Sequence, residues 1–436
     1  MSYPVRRAAL DILMRLGADE GEGYSAILLD AAIKKHNIDG ADKALLSRLV
    51  FGVTERRITL DYVIAATAAR PTARLDADVL NILRLGVYQL FFLEKIPPHA
   101  AVNETVELAK KSGKGFVNAI LRRLLRDGMP PLPEKKDGKV KYLSVKYSIP
   151  RELCRKFLEN FSDERTEAIF AAFLCPPPIT LHANLLRLGR EELIERLARD
   201  GISAHPTENA PYGVRLDAAQ GLPDAIMRGD AYVQDEASQI CIAALDPHEG
   251  DRVLDACSCP GTKAFSAAMR MKNKGEILAC DKHASKLSLI ETSAARLGIN
   301  IITTRERDSS VPDVSLDGAF DRVLCDVPCS GFGVIAKKPE IRYHSLEKAS
   351  ELPAIQRAIL DASSRAVKAG GTLVYSTCTL FCEENEAVVR DFLASHADFT
   401  LVPFEVGKYS SDGMLTLSPD EGHTDGFFIA KMMRIK

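Results

Sequence analysis

A chain of 436 residues, 46% hydrophobic and 27% charged, has room for two to four domains, each burying its own core. Its 57 basic and 59 acidic side chains leave a net charge of −2, which excludes a polybasic, histone-like protein but allows a local basic face. No apolar run approaches the ~18 residues of a membrane span, and ten cysteines over this length are no disulfide scaffold, so a soluble, reduced, cytoplasmic protein is expected.

Met1–Gly17 is amphipathic and carries Arg6, Arg7 and Arg15, so it lacks the apolar core of a secretory signal. Leu10, Leu13 and Leu16, then Leu45, Leu46, Leu49 and Val50, then Val79, Ile82, Leu83 and Val87 recur at three-to-four spacing. Residues 1–128 therefore read as an all-helical domain, punctuated by Pro71 and Pro97-Pro98. It carries a net +4 against −6 for the remainder. Lys110, Lys111, Lys114, Arg122, Arg123 and Arg126 form its densest cationic stretch. Such a stretch is either a solvated helix face or a phosphate-contacting surface.

Pro130-Pro131-Leu132-Pro133 and the polar residues after it read as a linker, residues 129–149. Residues 150–235 read as a small α+β piece, either an RNA-recognition-like module or an elaborated entry to the next domain: helices 150–161 and 163–174, strand 179–184, helix 190–200 and strand 213–217. From residue 236 to 436 strands alternate with helices, which predicts an open, doubly wound parallel sheet of the Rossmann-like α/β class. Strands are expected at 252–256, 276–280, 301–304, 322–325, 372–376 and 427–431. Helices are expected at 264–270, 284–297, 353–368 and 383–395.

The first of these strands runs into Asp255-Ala-Cys-Ser-Cys-Pro-Gly-Thr-Lys263. A strand, a tight turn and a helix start is where such a sheet binds a nucleotide-like ligand. Neither the G-x-G-x-x-G fingerprint nor a P-loop is present. Asp281, ending the second strand, sits where an acid accepts ribose hydroxyls. Cys329, in Asp326-Val-Pro-Cys-Ser-Gly331, and Cys378, in Ser376-Thr-Cys-Thr379, each follow a predicted strand. If those strands are parallel, two thiols face one crevice. No C-x-x-C pair occurs, so no metal site is expected.

These three motifs together resemble the S-adenosylmethionine-dependent RNA cytosine-C5 methyltransferases. Val233-Gln-Asp-Glu-Ala-Ser238, Glu383-Glu-Asn-Glu386 and Asp425-Gly-Phe-Phe428 support the resemblance. Ile96-Pro-Pro-His-Ala-Ala-Val-Asn-Glu104 and Lys114-Gly-Phe-Val-Asn118 resemble the RNA-binding fold of the antitermination factor NusB. The combination is similar to the bacterial 16S rRNA methyltransferases of the RsmB (Sun) type, over nearly the whole chain. It departs from that pattern at Ser258, Cys259, Thr262 and Ala264 in the first turn, and at Val327 and Phe332 beside Cys329.

The resemblance implies a NusB-like domain over 1–128 and a class I methyltransferase domain over 236–436. It makes Cys378 the nucleophile at cytosine C6, Asp326 a partner of the cytosine edge near N3, and Cys329 the aid to C5 deprotonation. It assigns S-adenosylmethionine to Cys257, Ser258, Cys259, Pro260, Gly261, Thr262 and Lys263, with Asp281 on ribose, Asp308 near adenine and Asp326 near the methionine end. Lys263, or the dipole of a helix starting near Glu383, is expected to help Cys378 ionise. The target base must leave its stack, with RNA phosphate met by the cationic residues named above and by Lys337 and Lys338. A monomer acting on small-subunit rRNA is expected. Two other readings use the same letters: a tRNA substrate, or an assembly factor weakened in catalysis by Thr262 and Ala264.

Overall fold

The computed structural model describes residues 4–18, 25–217, 224–422 and 424–436. Packing divides the chain into two units, Met1–Cys175 with Ile335–Leu346 and Pro176–Val334 with Glu347–Lys436.

The three-to-four apolar spacing of the first unit does produce helices. Val5–Ala18, Ser25–His36, Gly40–Ala68, Ala77–Phe92, Pro98–Leu108 and Lys111–Asp127 enclose one apolar core. The long helix Gly40–Ala68 contributes Leu46, Leu49, Val53, Leu60 and Ile64, and Leu83, Leu85, Leu121 and Leu124 come from the helices packed on it. Gly52 allows their close crossing, since a Cβ there would lie 2.0 Å from the Tyr88 ring.

The expected linker is partly helical. Lys139–Tyr147 forms a helix whose Leu143, Val145 and Tyr147 are buried, a stripe that surrounding lysines hide in the letters. Helices Arg151–Asn160 and Asp163–Ala172 belong to the same unit.

Residues Ile335–Leu346, far away in sequence, also pack within this helical unit. Glu340 accepts hydrogen bonds from the Ser25 backbone N–H (3.2 Å) and hydroxyl (2.8 Å). Arg342 donates to the Glu55 carbonyl at 2.6 Å, the Tyr343 hydroxyl donates to the Thr54 carbonyl at 2.8 Å, and the Arg57 guanidinium lies 3.6 Å from the Tyr343 ring centre. The chain thus leaves the second unit five residues after Cys329 and returns at Glu347.

The second unit opens with a small antiparallel sheet, Ala204–Pro206, Gly213–Leu216, Ile179–Ala183 and Ala231–Val233 in spatial order. Helix Arg190–Arg199 packs on it, with Leu193 and Leu197 in a core shared with Leu181 and Val214. The larger sheet follows the order Phe399–Leu401, Phe427–Arg434, Val367–Thr377, Phe320–Asp326, Arg252–Asp255, Glu276–Asp281 and Ile302–Glu306. The last five are parallel, as the strand–helix alternation predicts.

Two expectations need correction. Phe427–Arg434 runs antiparallel to Val367–Thr377, because a short connection pairs it as a hairpin with Met414–Leu417. The helix expected from Pro353 spans Leu346–Ser364 with Pro353 inside it. It stops short of Lys368 because Val367 already pairs with Phe320.

Strand order places the site. Succession from Arg252–Asp255 runs outward through Glu276–Asp281 and Ile302–Glu306, then returns to the other side with Phe320–Asp326. The crevice between the first strand and its returning neighbour is the topological switch point, where open α/β sheets bind ligands. Asp255 and Asp326 end the two strands that flank it.

Candidate active site

Asp326 pairs in register with Ser376, so both strands release their chains at one edge of the sheet. The Cys329 and Cys378 sulfurs meet there, 3.1 Å apart. The Cys378 backbone N–H also donates to the Cys329 sulfur at 3.2 Å. Gly333 closes the arrangement: its N–H donates to the Cys378 carbonyl at 3.0 Å, and a Cβ there would lie 2.1 Å from the Gly426 carbonyl oxygen.

The hydrogen bond to Cys378, desolvation, and the nearby charges of Cys378 and Glu384 together push the Cys329 thiol well above the ordinary cysteine range. Cys329 thus holds its proton firmly, and either sulfur can act as donor across the 3.1 Å contact.

Asp326 is held at both oxygens, accepting from the Ser376 hydroxyl at 2.7 Å and the Lys263 ammonium at 2.6 Å. Burial works against the Lys263 charge, but the hydrogen bond and charge of Asp326, with the charges of Cys241 and Asp255, together hold its pKa above the ordinary range. Lys263 is thus the partner of Asp326, and its hydrogen bond goes there rather than to the Cys378 sulfur. The helix expected near Glu383 begins at Glu386, after a short turn over Cys382–Glu384.

The first-strand turn is built for close approach. Gly261 has φ +98°, and a Cβ there would lie 2.7 Å from the Phe265 ring, so only glycine fits. Helix Thr262–Arg270 starts immediately after it without a side-chain cap, so its first N–H groups have no intrahelical partner. The β-branched Thr262 is accommodated in the first helical turn. Cys257, Ser258, Cys259 and Pro260 lead into the turn, with the Ser258 N–H on the Cys280 carbonyl (2.7 Å) tying it to the second strand.

Asp255, which the motif reading passed over as a binding residue, stands out. It is 1% exposed, and the Ser258 hydroxyl and Cys257 backbone N–H lie near its carboxylate without reaching good hydrogen-bond geometry. Burial pushes its pKa up to about 7. The buried Ser258 hydroxyl beside it is also unpartnered. An orphaned acid at a switch point suits a ligand with cationic groups and hydroxyls.

Asp281 lies at the same edge, one oxygen accepting the His283 N–H at 2.9 Å. Asp308 is engaged by Lys282 at 2.7 Å and by Ser310, which hold its pKa at about 2. The Arg307 N–H on the Asp281 carbonyl places Asp308 beside Asp281. Among the described residues no group of three or more His, Cys, Asp or Glu side chains is arranged to hold a metal ion, and no helix is long and apolar enough to cross a membrane.

The expected cationic face carries less free charge than its letters suggest. Lys110 pairs with Asp78 (3.2 Å), Lys114 with Glu107 (2.6 Å), Arg123 with Asp127 (3.5 Å) and Arg126 with Asp127 (2.7 Å). Arg122 donates to Asn118, and Lys111 is exposed at the helix start. Exposed pairs of this kind are weak and exchange readily for phosphate. Lys337 is half-buried and Lys338 exposed, where the chain packs within the helical unit.

Removing the unsolvated Asp255 charge has a signed consequence. A carboxyl whose folded pKa lies above its unfolded value favours folding at low pH and loses that contribution as pH rises from about 4 to about 7. Asp255→Asn is expected to raise the melting temperature of the ligand-free protein by several degrees at pH 8, with the gain shrinking towards pH 5. Thermal melts across that range check it.

Comparison with known proteins divides the chain in three, and the middle match crosses the boundary of the two packed units at Cys175. The family model "16S rRNA methyltransferase RsmB/F" matches residues 242–433, the NusB family model residues 4–126, and the RsmF/B-like ferredoxin-like domain model residues 149–222. The chain is 37% identical to the probable ribosomal RNA small subunit methyltransferase B of Bacillus subtilis, covering 99% of this chain and 98% of that one. It is 32% identical to ribosomal RNA small subunit methyltransferase B of Pectobacterium carotovorum, over 99% of each. Among solved structures, that of PH0851 is similar over 100% of both chains (TM-score 0.83, 27% identity). A methyltransferase homolog protein from Pyrococcus horikoshii is similar over 67% of this chain and 97% of that one (TM-score 0.58, 26% identity).

Proposed function

The chain belongs to the RsmB/F family of 16S rRNA methyltransferases, and on that premise we propose that it methylates C5 of a cytosine in small-subunit rRNA through a covalent adduct on Cys378. Two thiols 3.1 Å apart at the switch point carry this conclusion.

Cytosine C5 is a poor nucleophile until a thiolate adds at C6. Cys378 is the proposed attacker. As its S–C6 bond forms, the C5=C6 π pair shifts onto C5 and through the ring towards N3. Asp326, fixed at both oxygens by Ser376 and Lys263, is positioned to accept a hydrogen bond from a protonated N3.

When bound, S-adenosylmethionine supplies a methyl group on a positively charged sulfur. Cys257, Ser258, Cys259, Pro260, Gly261, Thr262 and Lys263, with Asp281, Asp308 and Asp326, are proposed to hold it, and Asp255 joins them. The orphaned Asp255 carboxyl and the bare helix start fit its ammonium, ribose hydroxyls and carboxylate.

The sulfur pair also explains how the adduct is resolved. Once Cys378 is spent in the S–C6 bond, the hydrogen bond and charge that held the Cys329 proton are gone. Cys329 then gives that proton to bulk water, and the resulting thiolate takes the proton at C5. The C5–H pair re-forms the C5=C6 bond, the S–C6 bond breaks, and its electrons return to Cys378.

Substrate RNA is proposed to meet Lys110, Lys111, Lys114, Arg122, Arg123 and Arg126, with Lys337 and Lys338, through its phosphates. Bisulfite sequencing of rRNA from a strain lacking the gene tests the substrate: one small-subunit cytosine should become convertible. An unchanged small-subunit pattern, with a tRNA cytosine converted instead, would refute the rRNA assignment.

A further inference from the structure

Glu384 is 2% exposed, and among the described residues no basic side chain lies within ion-pair distance of it. Its carboxylate is surrounded by neutral donors. One oxygen accepts the Ser330 N–H at 2.9 Å and the Gln356 amide at 3.0 Å, and the other accepts the Ser330 hydroxyl at 2.5 Å. The Gln356 amide also donates to the Pro328 carbonyl at 3.0 Å, and the Ser330 hydroxyl lies 2.9 Å from the Thr379 hydroxyl. Tyr375 fixes the Glu384 backbone, its hydroxyl donating to the carbonyl at 2.5 Å.

These bonds bracket the reacting sulfurs. Pro328 and Ser330 flank Cys329, and Thr379 follows Cys378. We propose that Glu384 is a positioning residue of the methylation reaction, clamping the Cys329 loop against the Cys378 segment and reserving Cys378 for attack. The inference rests on the roles assigned above to the two cysteines.

Cost argues for a role beyond packing. Burying an unpaired carboxylate is expensive even with full hydrogen bonding, and a neutral glutamine would bridge the same loops more cheaply. What the carboxylate adds is negative charge beside Cys329. That charge helps keep the resting proton on Cys329, leaves Cys378 as the nucleophile, and makes Cys329 the stronger base once its own proton has gone.

Glu384→Gln in the full chain tests this, assayed with substrate rRNA and labelled S-adenosylmethionine. Expected are a kcat lower by about 10–100-fold, a KM for RNA within about two-fold of wild type, and a protein–RNA adduct that accumulates during turnover and survives denaturation. In a Cys378→Ser background, alkylation of Cys329 by iodoacetamide should shift to lower pH when Glu384→Gln is added. A purely structural role would leave that profile unmoved and would restore turnover with glutamine.

Should Glu384→Gln fail to fold, Ser330→Ala removes two of the bonds while leaving the charge. It should accumulate adduct to a smaller degree, and wild-type turnover without adduct would overturn the proposal. A folded Glu384→Gln with wild-type kcat and an unchanged alkylation profile would overturn it as well. Failure of the wild-type protein to methylate RNA would instead overturn the function proposed above, so the two failures are distinguishable.

Discussion

Cys378→Ser is expected to lose methylation by on the order of 10⁴-fold or more and to form no covalent adduct with RNA. A serine hydroxyl in the same place is far less ionised than a thiol, so the C6 addition that activates C5 does not start. The protein should stay folded, because Cys378 is partly exposed and the substitution is nearly isosteric. Asp326, Lys263 and the Gly261 turn are untouched, so S-adenosylmethionine binding by calorimetry should be retained. Loss of both methylation and cofactor binding would point to a folding defect rather than a missing nucleophile.

Cys329→Ser should behave in the opposite way. Addition and methyl transfer need only Cys378, Asp326 and the donor, so the adduct forms. Its resolution loses the group poised 3.1 Å from Cys378, and turnover should fall by about 10²–10⁴-fold. The signature is a protein–RNA band on a denaturing gel that carries the new methyl group. Single-turnover methyl transfer should remain near wild type while multiple turnover collapses. Normal turnover in this variant would refute the division of labour between the thiols.

The meeting of the two thiols was legible because each cysteine sits within three residues of a strand end, and parallel strands bring their carboxyl ends to one edge. Parallel pairing could be inferred from alternation, and the register, Asp326 opposite Ser376, delivers the contact. Glu384 was not legible in the same way. Its letters, in Glu383-Glu-Asn-Glu386, read as a helix start, and its role exists only where Ser330, Gln356 and Thr379 converge from three segments. Asp255 falls in a predicted strand before the turn, yet nothing in sequence marks a carboxyl as buried without a charge partner.

The helical unit shows the converse limit. Lys110, Lys114, Arg123 and Arg126 form a cationic run in sequence, but Asp78 and Glu107 come from other helices to pair with the two lysines. Local charge counts cannot anticipate that. Nor does any periodicity show that Glu340, Arg342 and Tyr343 are held by Ser25, Glu55 and Thr54, since the relation spans about 300 residues. The stripe in Lys139–Tyr147 was masked by its lysines, whose aliphatic stems cover apolar surface while their charges stay wet.

The identity of the attacking sulfur can be read directly by trapping. Substrate RNA carrying 5-fluorocytidine at the target position lets addition and methyl transfer proceed but leaves no proton at C5 to remove, so the adduct persists. Digestion and mass spectrometry of the trapped wild-type complex should place the methylated nucleotide on Cys378, with Cys329 unmodified. A nucleotide on Cys329, or an actively methylating enzyme that traps no adduct at all, would contradict the mechanism.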